Sequence, residues 1–143
     1  MGMVEEVGTL LLRSDLDLTP GVNLFYMSRP DSPDDVVTLY EYAGSPPEFD
    51  HGSRIPEWES PRLQVLARSV DGPTAQARAR IIYLCLSAIC AAGNTWLYDV
   101  GNNQRTQYRA LRPLQQPFQM GFDGNRRALW VVNFECIRRP IPG

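Results

Sequence analysis

Residues Thr74 to Ala92 form an alanine-rich run opened by Pro73 and closed by Gly93-Asn94, the signals for a helix's first turn and for its stop. Ile81, Ile82, Cys85, Ala88, Ile89 and Ala92 are expected on its buried side, with Gln76, Arg80, Tyr83 and Ser87 opposite. A helix with one apolar face has to bury it against something. Because most of the chain around it reads as strand, that partner must be a sheet. The expected class is therefore α+β, an antiparallel β-sheet packed by one long and one short helix.

The short helix is placed at Val4 to Leu12, where apolar residues recur at three- and four-residue steps despite Gly8, before Ser14, Asp15, Pro20 and Gly21 end it. Leu24-Phe25-Tyr26-Met27 reads as a first strand. The turn-rich Arg29-Pro30-Asp31-Ser32-Pro33-Asp34 leads into a second, Val36 to Tyr42, as an antiparallel pair. Ala43 to Pro61 is so interrupted by glycine and proline that it reads as a long loop, and loops of that length are usually functional or disordered. Since it holds Phe49, His51, Ile55 and Trp58, it is expected to pack onto a surface. Leu63 to Val70 is a third strand. After the long helix come a short element at Thr95 to Tyr98, a turn at Gly101-Asn102-Asn103, a strand at Gln104 to Leu111, a turn at Gly121 to Asn125 and a last strand at Ala128 to Arg138. In that last strand Trp130, Val132, Phe134 and Cys136 should face the core, and the odd positions a more mixed environment.

The length of 143 residues suits one domain, 1–143, with a core of its own, and no internal repeat marks a second. The longest apolar run, about Ile81 to Ala92, is shorter than the ~20 residues of a membrane-spanning helix, so no membrane partner is expected. Glu5 and Glu6 stand where an export signal would carry positive charge. A formal charge of -2 argues against tight, phosphate-driven nucleic-acid binding. All fourteen basic residues are arginine. A GC-rich genome would produce that bias, and so would a role in interfaces, where the planar guanidinium binds carboxylates in pairs and stacks on aromatic rings.

Catalytic, metal and cofactor sites are not expected. Cys85, Cys90 and Cys136 lie in apolar stretches, as buried reduced thiols would, and a single histidine leaves no second pair for zinc. Carboxylates at Asp15/Asp17, Asp34-Asp35 and Glu57/Glu59 sit in turns instead of a shaped pocket. A small hydrolase using His51 with Asp50 is one alternative, and a nucleic-acid-binding module is another. Arg105, Arg109 and Arg112 read as a solvated sheet face, a subunit contact or a wall facing passing DNA. Arg126-Arg127 and Arg138-Arg139 read as surface charge. The candidate contact residues are thus Phe49, His51, Trp58, Arg105, Arg109 and Arg112.

Taken in order, several pieces resemble the phage minor capsid proteins of tail-terminator type. They are Leu24-Phe25-Tyr26 with Pro30 and Pro33-Asp34; Leu39 to Pro47, reading Leu-Tyr-Glu-Tyr-Ala-Gly-Ser-Pro-Pro; Glu59 to Val65 with Arg68; Gly121-Phe122-Asp123-Gly124-Asn125-Arg126; and Asn133-Phe134-Glu135. Met27-Ser28 departs from the pattern, which has a glycine-containing turn after the first strand. The resemblance implies a tail-terminator-like fold and a structural virion protein of the tail and neck, assembled in the host cytoplasm. It implies a homohexameric ring at the head-proximal end of the tail tube that ends tube growth and joins tail to head. Its partners would be further copies of itself, the major tail tube protein and a head-completion or stopper connector protein, with genome DNA passing through without specific binding. Another neck or head-tail joining protein is the nearest alternative.

Overall fold

The structure is a computed structural model that describes residues 2–14, 16–49, 56–101 and 104–142. The elements run α1 (Met3–Leu11), β1 (Leu24–Tyr26), β2 (Val36–Phe49), β3 (Pro56–Ser69), α2 (Gly72–Ile89), β4 (Trp96–Gly101), β5 (Gln104–Pro113), β6 (Phe118–Phe122) and β7 (Ala128–Pro142). The strands make one mixed, curled sheet in the order β1-β2-β3-β7-β5-β4. β6 pairs with the first residues of β7, on the side away from β3, and β5 takes over along the rest of that side.

The sheet is not wholly antiparallel, because β1 pairs with β2 in parallel through Leu24↔Val37, Phe25↔Thr38 and Tyr26↔Leu39. Parallel neighbours normally need a crossover of about a dozen residues or more. Here β1 is only three residues long, so residues 27–35 suffice to bring the chain back to its starting end.

The expected loop from Ala43 to Pro61 is also corrected. Both strands run on through it, β2 to Phe49 and β3 from Pro56, as a hairpin arm whose register slips after Tyr42, Ser45 and Glu48. Proline is tolerated in a strand at an edge or a bulge, where its missing N–H is not needed. Pro46 and Pro47 lie where β2 has no outer strand among the described residues, and Pro61 lies at the first slip. Gly44 is required there, since a Cβ at that position would run into the backbone carbonyl of Ser60.

α1 buries Met3, Val4, Val7, Leu10 and Leu11, and Tyr26 lies so close over Gly8 that a larger residue would collide with its ring. α2 turns a different side inward from the one expected. Ala75, Ala79, Ile82 and Leu86 are buried, Ile81 and Ala88 are exposed, and Cys85 and Ile89 are half-buried. The alanines at 75 and 79 let the helix lie close on the sheet, and Tyr83, expected outside, packs against the core.

The main core lies between the two helices and one sheet face. Leu63, Val65 and Ala67 supply it from β3, and Val132, Phe134 and Cys136 from β7, with Trp130 packed beside them as the alternation requires. Tyr108 and Leu111 both reach this face because a bulge between Tyr108 and Ala110 resets the alternation of β5. On the opposite face Leu66, Leu129 and Val131 form a small second cluster with Tyr40. No helix of the described residues is long and apolar enough to cross a membrane.

Candidate interaction surface

Three arginine-centred clusters organise the polar chemistry, and two of them are built on enclosed arginines. In the first, Arg127 and Arg68 hold the connection between β1 and β2 from beneath. Arg68, buried in β3, donates from Nε to the carbonyl of Asp34 at 3.1 Å and from Nη2 to that of Pro33 at 2.6 Å. Arg127 donates to the carbonyl of Asp31, to Asp31 Oδ1 at 3.0 Å, to Asp34 Oδ1 at 3.3 Å and to Asp123 Oδ2 at 2.7 Å. Asn125 adds a bond to Asp31 Oδ1 at 3.0 Å. Burial works against the charge on Asp123, but the N–H groups of Arg127 and Asn125 and the Arg127 guanidinium outweigh it, so its carboxyl lies below the ordinary range. Burial, then the neighbouring charge of Arg127, lowers the pKa of Arg68. Arg127 is therefore not surface charge. Sequence pieces about ninety residues apart, at Pro33-Asp34 and Asp123 to Arg126, meet here.

In the second cluster the buried Glu6 of α1 accepts hydrogen bonds at Oε1 from Tyr108 Oη at 2.8 Å and Arg138 Nη1 at 3.1 Å. Arg138 also faces Glu59 at 3.6 Å and Glu41 at 4.0 Å. Burial, then the Glu6 charge, pushes the Tyr108 hydroxyl up, which keeps it a donor, and Trp96 stacks on its ring at 4.6 Å. This cluster ties α1 to β5 and β7, and Arg138 is again not surface charge. The signal was present in the sequence: Glu6 stands three residues after Met3 and four before Leu10, on the buried side of the helix.

The third cluster reaches the surface through Arg109, while Trp58 itself is buried. Arg109 of β5 and Arg139 of β7 lie over the ring of Trp58 in β3, with guanidinium carbons 4.3 Å and 4.5 Å from its centroid. Arg139 also donates to Gln107 Oε1 at 3.0 Å. Arg105 is exposed further along β5, and Arg112 faces Glu135 at 3.4 Å with most of its side chain in water. The structure thus brings together Trp58 and Arg109 of the expected contact residues, and sets Arg105 and Arg112 on the same strand as Arg109. Phe49 ends β2 without a described side chain, and His51 lies outside the described residues, as does Asp50. Arg139 was missed because its place beside Trp58 depends on strand pairing.

Cys136 is buried in the core, where burial pushes its thiol up, while Cys85 and Cys90 are half-buried, less enclosed than expected. No group of metal-ligating side chains occurs among the described residues.

A mixed sheet backed by two helices, with ionic clasps around enclosed arginines, places the chain among small α+β proteins. The family model for bacteriophage tail terminator proteins matches residues 3–139, and the chain belongs to that family. Its role is structural, as a component of the virion tail. A comparison with curated proteins gave no match.

Proposed function

We propose that this chain forms a homohexameric ring on the head-proximal end of the tail tube, where it ends tube polymerisation and offers a surface to the head connector. The observation that carries this reading is the family match over residues 3–139. Assembly takes place in the host cytoplasm, the finished ring lies at the neck, and genome DNA passes through it without specific binding.

The open surface of Arg105, Arg109 and Arg112, with Trp58 buried beneath Arg109, is the part that meets the tube protein or the connector. Guanidinium groups pair with carboxylates in a fixed geometry, and arginine is enriched where proteins dock. In a chain of net charge -2, such a surface suits an acidic partner better than nucleic acid. The test is electron microscopy of particles together with the mass of the assembled protein. A sixfold ring at the tail-head junction is the expected result. Gene order is a second check: a position just upstream of the major tail protein is expected, and one directly beside the portal gene would favour a head-tail joining role.

A further inference from the structure

Among the described residues β6 has a strand partner on one side only, since β7 takes its inner edge and nothing pairs with its outer one. Native sheets usually shorten, charge or break such edges, because a row of unpaired N–H and C=O groups invites another chain. β1 is protected by being three residues long, and β2 carries Pro46-Pro47. β6 is interrupted by a bulge at Gly121 but carries neither charge nor proline. It reads Phe-Gln-Met-Gly-Phe, without charge, and its large side chains face solvent: Phe118 is 40%, Met120 49% and Phe122 66% exposed. An apolar, uncharged edge left open marks a contact.

The other side of the same sheet offers an edge of matching length. β1 covers β2 only as far as Leu39, and Pro46 limits pairing further along, so residues 40–44 stand open over five positions, the length of β6. Within that stretch the N–H of Glu41 rests on Met27 Sδ at 3.1 Å. A thioether is a weak acceptor, and a backbone carbonyl would be a better one. Tyr42, Ala43 and Gly44 are exposed.

We propose that the outer edge of β6 in one copy of this chain pairs with residues 40–44 of β2 in a second copy, so that the sheet continues from subunit to subunit. The proposal rests on the ring reading above. Two different edges on opposite sides of one sheet make a head-to-tail contact, the type that closes into rings, whereas β6 meeting β6 would stop at a two-fold dimer.

A photoreactive benzoylphenylalanine in place of Phe118 tests it, in purified tails and in concentrated protein, with cross-linked peptides mapped by mass spectrometry. The expected result is a ladder of covalent multimers joining position 118 to residues 38–46 of another copy. In a second variant, Met120→Lys with Phe122→Lys should leave the monomer's melting unchanged and reduce the ladder at least tenfold, since both side chains are exposed. Cross-links from 118 to 118, to another face of a copy or to a different virion protein would overturn the pairing while sixfold rings, if present, kept the ring reading intact. Absence of any multimer both on tails and in solution would overturn the pairing and the ring together.

Discussion

Arg127 and Arg138 differ from Arg105 and Arg112 less in chemistry than in what surrounds them. The first two are enclosed and spend their donors on carboxylates and carbonyls of their own chain, at Asp31, Asp34 and Asp123 in one case and at Glu6 in the other. The second two stand on β5 with their side chains in water, where Arg112 faces Glu135. Enclosed arginines of this kind fix the fold, because a buried charge without its partner is costly. Those on an open strand cost little stability when changed.

The largest effect on folding should follow from breaking the Glu6 cluster. Arg138→Ala would strand the buried Glu6 carboxylate and is expected to cost about 3–5 kcal/mol, read as a shift in denaturant midpoint. Replacing all three members with apolar residues, Glu6→Leu with Arg138→Met and Tyr108→Phe, should regain most of that loss. A cost below about 1 kcal/mol for Arg138→Ala would instead place it with the surface arginines.

Arg68→Ala comes next, at about 2 kcal/mol, because it leaves the carbonyls of Pro33 and Asp34 without their donors. Hydrogen exchange should accelerate over residues 31–37 while the centre of β7 stays protected. Uniform acceleration across the sheet would mean that Arg68 supports the whole fold and not this connection.

Asp123 gives the comparison a pH axis. Its carboxyl lies lower in the folded chain than when unfolded, so its contribution is complete above the unfolded value of about 3.9 and is lost as pH falls through the folded one. Asp123→Asn should therefore be less stable than the parent at pH 7, and the gap should narrow as thermal melts are taken from pH 5 down to pH 3. A gap that widened on acidification would show that Asp123 is not the carboxylate balancing Arg127.

End signals and periodicity, both local, made the places of the helices and the faces of the final strand legible, but not which side of α2 turns inward. The arm was not, since prolines and glycines that look like loop punctuation are also permitted at a strand edge and a bulge, and only pairing with β3 shows which applies. The same holds for the site. Trp58 and Arg109 could be singled out as residues of interfacial type, but their meeting with Arg139 depends on three strands lying side by side. Arg127 and Arg138 were misread because a doublet of arginines at a turn or a tail is usually solvated, and nothing local shows that carboxylates from far along the chain enclose one member. Met27 is a milder case. Where the family pattern has a glycine turn, it adopts φ 61°, the left-handed conformation that glycine takes more easily.

The smallest folding effect, and the sharpest test of the open surface, belongs to Arg105→Glu combined with Arg112→Glu. Both side chains are exposed, but Arg112→Glu sets a carboxylate opposite Glu135 and Arg105→Glu one opposite Asp99, so stability should fall by about 1 kcal/mol. Assembly should respond out of proportion, because the same reversal would set negative charge against an acidic partner, and like charges facing across a contact cost far more than a lost surface pair. The measurement is complementation: the fraction of complete particles and the spread of tail lengths, scored beside the melting temperature of the purified variant. A stable variant with few complete particles would establish the surface as a contact. A stable variant that completes tails normally would mean that these arginines are simply a solvated strand, and that the docking surfaces lie at the sheet edges alone.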